Sequence, residues 1–198
     1  MDLTARALID WSASSQPRRG EIESGDQYLV TRVDHTALIA VIDGLGHGAP
    51  AAEAARAAVN TIQSNATESL AELARLSHEA VRATRGVVMT LASIDCESAT
   101  ISWLGIGNVA AVILRASSPD TESLVLRGGV VGQRLPTLVP VTRPWTAGDT
   151  LIITTDGVRW DPYQGTLRAD PTDVVARQLL EQNAAGDDDA LVLVARCP

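Results

Sequence analysis

Six consecutive apolar residues, Ala37 to Ile42, run into Asp43, and Gly44, Gly46 and Gly48 follow at once. An unbroken apolar run rich in β-branched residues reads as a strand buried on both faces, not as an alternating, half-exposed one. Such a strand delivers its last side chain, here a carboxylate, to the edge of a sheet. Glycines directly after it let the backbone approach a ligand closely. Asp-Gly is also a hairpin signal, but a hairpin needs its second strand immediately. The alanine-rich stretch from Ala49 to Asn60 reads instead as a helix.

The same construction recurs at Thr150 to Thr155, a second buried-type strand that ends in Asp156 and Gly157. A third acidic group, Asp187, Asp188 and Asp189, stands directly before a last apolar run, Ala190 to Ala195. Antiparallel pairing of these two strands would make their acidic ends neighbours. Three aspartate sites at one end of a sheet suit a hard cation, because magnesium and manganese take carboxylate, carbonyl and water oxygens.

A length of 198 residues fits a single domain spanning 1–198, large enough to bury a core without staples. The net charge of −8 and a pI of about 4.8 argue against nucleic acid or an anionic membrane as the main partner. Cys96 and Cys197 lie in no metal-ligand spacing, which makes reduced thiols and a cytoplasmic location the expectation. No window approaches a membrane span and no basic region leads into a long apolar run. Nothing in the sequence suggests an obligate interface, so a monomer is expected.

Along the chain, strands are expected within Leu3 to Ala13 and over Gln27 to Val33. Helices are expected over Ala51 to Ile62 and, capped by Thr67, on to about Arg85. Val87 to Ile94, Thr100 to Leu104, Val109 to Leu114 and Ser123 to Leu126 read as consecutive antiparallel strands, followed by an irregular crossing to Trp145. A third helix opens with Asp170 as cap and Pro171 in its first position. Segregation of strands and helices into blocks argues for an α+β fold. Gly105-x-Gly107-x-x-Ala110 matches a dinucleotide fingerprint on paper, but a strand follows it where that motif opens a helix.

The ordered set Asp43-Gly44-Leu45-Gly46-His47-Gly48, Thr155-Asp156-Gly157 and Asp187-Asp188 resembles the metal-dependent, PPM-type protein serine/threonine phosphatases, and within them the SpoIIE-like branch. Ser24-Gly25-Asp26, the Trp103 to Asn108 segment and Gly128 to Gly132 look most like a compact member that resets the bacterial stressosome. The resemblance covers essentially the whole chain. It implies a sandwich of two antiparallel sheets flanked by helices, and hydrolysis of phosphoserine or phosphothreonine on stressosome or STAS-domain regulatory proteins. It implies two manganese or magnesium ions, with Asp43 bridging them, the Gly44 carbonyl helping to hold one, and Asp156 and Asp187 completing the other. A water shared by two such ions about 4 Å apart would attack the phosphate in line.

The chain departs from the family pattern at two places. Gly25 stands where many members carry glutamate, and Glu21 where they carry arginine. Asp26 is then either a ligand acting through water or a turn residue. Arg18 or Arg19 would contact phosphate, and Asp189 is expected to be a solvated neighbour. His47 is either a proton donor near the leaving oxygen or simply packed beside the loop, while His35 and His78 are expected at the surface. Trp160 and Tyr163 are candidate anchors for a partner protein, with Trp160 equally open to a core role. The rival reading is a pseudophosphatase that binds its partner without turnover, against which Asp43, Asp156 and Asp187 all speak.

Overall fold

The computed structural model describes residues 8–119, 121–161 and 170–198. Two sheets lie face to face. One carries β1 (Asp10–Gln16), β11 (Ala190–Arg196), β10 (Thr150–Thr154), β6 (Ala110–Leu114) and β7 (Thr121–Ser123), in that spatial order. The other runs β2 (Asp26–Val33), β3 (Thr36–Gly44), β4 (Val87–Asp95), β5 (Thr100–Ile106) and β8 (Leu126–Arg127), with β9 (Val141–Pro144) also pairing β5. All pairings are antiparallel except β5 with β8. Helices α1 (Gly48–Ser64) and α2 (Leu70–Ala80) cover the second sheet, and α3 (Thr172–Asn183) covers the first.

Four layers explain why the central strands are apolar without alternation. In β3, Ala37, Ile39 and Val41 point between the sheets, whereas Leu38, Ala40 and Ile42 pack under α1 and α2. In β11, Leu191, Leu193 and Ala195 point inward, whereas Ala190, Val192 and Val194 face α3. Successive side chains of a strand point to opposite faces, so each of these strands serves two cores at once. The alanines of α1 suit this crowding: Ala51, Ala52, Ala54, Ala55 and Ala58 are wholly buried. A side chain at Gly44 would stand 2.1 Å from the Ala51 carbonyl oxygen. The end of β3 therefore abuts the first turn of α1 with no room for a Cβ.

Several element boundaries differ from expectation for local reasons. The β1 strand starts at Asp10, and the expected start at Leu3 lies outside the described residues. Helix α1 opens at Gly48 with His47 as its cap, so Pro50 occupies the third helical position. Ser69, not Thr67, caps α2, accepting a hydrogen bond from the Glu72 amide at 3.2 Å. Helix α2 stops at Ala80 instead of near Arg85, and Pro171, not Asp170, is the cap residue of α3. The largest difference is topological. The strands after β5 are not a simple meander, because β6 belongs to the other sheet. The chain crosses at Gly107, whose φ of +93° and 2.2 Å clearance to Val88 Cγ1 admit only glycine.

Candidate functional site

At one end of the sandwich the strand termini bring aspartates together from both sheets. Asp26 and Asp43 are direct cross-strand partners on β2 and β3. Both fall on the face that points between the sheets, since Asp43 continues the series Ala37, Ile39, Val41. From the opposite sheet come Asp156, just beyond β10, and Asp188 and Asp189, just before β11. Antiparallel pairing of β10 with β11 makes these ends neighbours, as the sequence suggested. Asp43, Asp156 and Asp188 line an open cavity of about 280 Å³, together with Arg18, Leu45, Gly46, His47, Val88, Asn108 and Val130.

The expected residue Asp187 is not among them. Its side chain is 58 % exposed and pairs with Arg159 at 2.5 Å on the surface. Asp188 occupies the place in the cavity that the sequence reading gave to Asp187. The third member of the run behaves differently again. Asp189 is 3 % exposed, so it is not a solvated neighbour. It accepts hydrogen bonds from the Arg18 amide at 2.8 Å and the Gly25 amide at 2.8 Å. These bonds fasten the loop before β2 to the opposite sheet. They also give Gly25 a reason of its own: a Cβ there would lie 2.8 Å from the Ala51 Cβ and 3.1 Å from Asp189 Oδ2.

Asp26 is no turn residue. It is 4 % exposed and accepts a 2.7 Å hydrogen bond from Thr155 Oγ1. The same hydroxyl accepts from the Leu191 amide at 2.9 Å. Thr155 thus joins β2, β10 and β11 at the point where the acids converge. Next to it, Gly157 leaves only 2.0 Å between a notional Cβ and the Asp189 carbonyl oxygen.

The electrostatic result is a cluster short of positive charge. Burial first, then Asp26, Asp156, Asp188 and Asp189, pushes the Asp43 carboxyl up to about 8. Burial raises Asp26 to about 7, with the Thr155 hydrogen bond opposing and Asp189, Asp156 and Asp188 adding to the rise. Asp156 is raised by burial and by Asp188, against a hydrogen bond from Asn108. Carboxylates held together in this way favour uptake of either protons or cations. Among the described residues, no group of three or more His, Cys, Asp or Glu side chains closes tightly enough to hold an ion by protein donors alone. An all-oxygen set facing an open cavity fits a hard cation that keeps several waters, as magnesium usually does.

Two histidine contacts were not legible in the sequence. His47 Nδ1 lies 2.8 Å from Glu21 Oε1. An ionised carboxylate only accepts, so Nδ1 carries the hydrogen and Glu21 fixes the orientation of the ring. The other is His78, which is not a free surface residue: its Nδ1 accepts from the Gly132 amide at 2.9 Å and ties the glycine-rich crossing to α2. Arg18 is placed at the cavity. Arg19 instead lies by Gly186, to whose carbonyl its amide donates at 3.1 Å. Trp160 packs against the α3 core, and Tyr163 lies outside the described residues.

Comparison with known proteins agrees with this fold. The family model described as Stage II sporulation protein E (SpoIIE) matches residues 33–198. The phosphoserine phosphatase RsbX of Bacillus subtilis (strain 168) is 26 % identical over 143 residues, covering 71 % of this chain and 70 % of RsbX. A solved chain reported under "The bacterial stressosome: a modular system that has been adapted to control secondary messenger signaling" is 30 % identical. It superposes with a TM-score of 0.87 over 95 % of this chain and 99 % of its own. A crystal structure of RsbX in complex with magnesium, 20 % identical, shares the fold with a TM-score of 0.84 over 96 % of each chain. The chain, a two-sheet sandwich with its acids at one end, belongs to the SpoIIE family of PPM-type protein phosphatases.

Proposed function

We propose that this phosphatase removes phosphate from phosphoserine or phosphothreonine on a regulatory partner of the stressosome or STAS-domain class, using manganese or magnesium. The observation that carries this reading is the gathering of Asp43, Asp156 and Asp188 from both sheets around one open cavity. In this reading those three carboxylates hold two ions, with the Gly44 carbonyl assisting and Asp26 acting from behind through water. Asp188 takes the role that the sequence alone gave to Asp187. The ions, when bound, supply an activated water and neutralise phosphate charge.

The chain's own residues do the rest. Arg18 enters the cavity beside the acids and provides a guanidinium for the phosphate oxygens, which arginine matches with paired donors. Asp189 fixes the backbone of Arg18 and so sets where that side chain starts. Glu21 holds the His47 ring at the rim. The partner class is supported by likeness to RsbX and to a stressosome-related chain. We also propose that the protein works as a single phosphatase domain over 1–198, as a cytoplasmic monomer. Among the described residues no helix is long and apolar enough to cross a membrane.

The test is incubation of phosphorylated stressosome and STAS-domain proteins, and of an aryl phosphate, with the chelated and the manganese-loaded protein. Chelation is expected to abolish turnover of all substrates and manganese to restore it. Full activity after exhaustive chelation would overturn the metal reading. Tight partner binding without turnover in manganese would establish the pseudophosphatase instead.

A further inference from the structure

We infer that Asn108 is a positioning residue for Asp156: it takes one carboxylate oxygen and leaves the other to face the cavity as a one-oxygen ligand. The inference rests on the metal reading proposed above. Asn108 Nδ2 donates to Asp156 Oδ2 at 2.6 Å, and both residues line the cavity. A carboxylate has no hydrogen to give, so the contact fixes which end of the amide faces Asp156. The Asp156 and Gly157 amides also donate to this carboxylate from the backbone side, so Asn108 holds it from the opposite, cavity-lining side.

The amide is well placed to impose that setting because its own backbone is held on both sides. Before it, the Gly107 amide donates to the Arg127 carbonyl at 2.9 Å, in a left-handed conformation wedged against Val88. After it, the Val109 carbonyl accepts from the buried Thr90 hydroxyl at 2.7 Å. These residues form the crossing where the chain leaves one sheet for the other. The crossing and the orientation of Asp156 are therefore parts of one construction. Side chains that hydrogen-bond a metal ligand govern its orientation, and their removal weakens metal binding by about 10- to 100-fold.

Charge points the same way. The cavity already gathers Asp43, Asp156 and Asp188, with Asp26 and Asp189 behind them. A neutral donor at position 108 orients a ligand without adding to this repulsion.

The test compares wild type with N108A and N108L. The leucine variant keeps the approximate shape of asparagine but has no donor. Manganese affinity is measured by titration calorimetry, the thermal midpoint is measured without metal, and aryl phosphate turnover is measured over a manganese series. Both variants are expected to bind manganese about 10-fold more weakly or worse. Their turnover should fall with the lost affinity at limiting manganese and rise again as manganese is raised. Wild-type affinity in N108L would show that shape suffices and would overturn the inference. Turnover that stays lost at saturating manganese would place Asn108 on the reacting group and would also overturn it. If N108A fails to fold, N108L alone decides. A wild-type protein that takes up no manganese would overturn this inference and the metal reading together.

Discussion

Asp187 and Asp188 are adjacent in the chain and lie in different worlds. One makes an exposed ion pair with Arg159, a contact worth at most about 1 kcal/mol. The other lines the cavity among the acids. Asp187→Ala is therefore expected to leave manganese affinity and turnover within about twofold of wild type, since surface substitutions are mostly small in effect. Asp188→Ala is expected to lose most manganese binding while the metal-free thermal midpoint holds or rises, because repulsion in the cluster is relieved. Calorimetry and thermal melting on the two variants check this, and equal effects would refute the assignment. The family resemblance chose Asp187 within the run of three, and strand alternation does not correct that choice. Strand alternation puts Asp189 on the face of Leu191 and Leu193, but both faces of β11 are apolar. The pattern alone does not say which face lies between the sheets and which lies under a helix.

Among the elements, the buried strands were the most legible, because length, β-branching and lack of alternation agree. The antiparallel partnership of β10 and β11 followed from their shared acidic ends. What could not be read was the departure of β6 to the other sheet. That depends on Gly107 meeting Val88, a contact between residues of separate strands. The Glu21–His47 pair was hidden for the same reason, as it spans a loop and a helix cap. Of the two readings open for Trp160, partner anchor or core, the structure has it packed against α3 with Val158 and Ala184. Trp160→Ala is accordingly expected to cost about 2–4 kcal/mol of stability, scaled down from full burial of a large aromatic. Hydrolysis of an aryl phosphate and of a phosphoprotein should fall in parallel as the folded fraction falls. Denaturant melts with both assays check this, and selective loss on the phosphoprotein with unchanged stability would restore the docking role.

At the scale of the whole molecule, the acids of two sheets face each other across the end of the sandwich. The Asp43 and Asp26 carboxyls are pushed up to about 8 and about 7, both above the ordinary aspartate value of 3.8. For acids raised on folding, the folded state binds more protons than the unfolded state between these values. Stability of the metal-free protein is thus fully present below about pH 4 as far as these two groups are concerned. It is lost as pH rises through 7 and 8. Asp149 works oppositely at the far end of the molecule. Burial would raise it, but hydrogen bonds from Ala116, Thr146 and Arg115 outweigh that and hold it below the usual range. Its contribution disappears in acid. The metal-free protein should therefore melt at a lower temperature at pH 8 than at pH 6, and manganese should erase most of the difference. A midpoint that rises from pH 6 to pH 8 without metal would contradict the charge balance described here.

The order of strands in the first sheet also sets a timetable for synthesis. The last strand, β11, lies between the first, β1, and β10. As the polypeptide leaves the ribosome, β1 has no partner in its sheet until β11 has been made, after every described element between them. Asp188 and Asp189 arrive with that same late segment, so Asp26 and Asp43 are made long before the acids that β11 sets opposite them. A chain cut between β10 and β11 therefore has neither a closed first sheet nor the acids that β11 brings to the cavity.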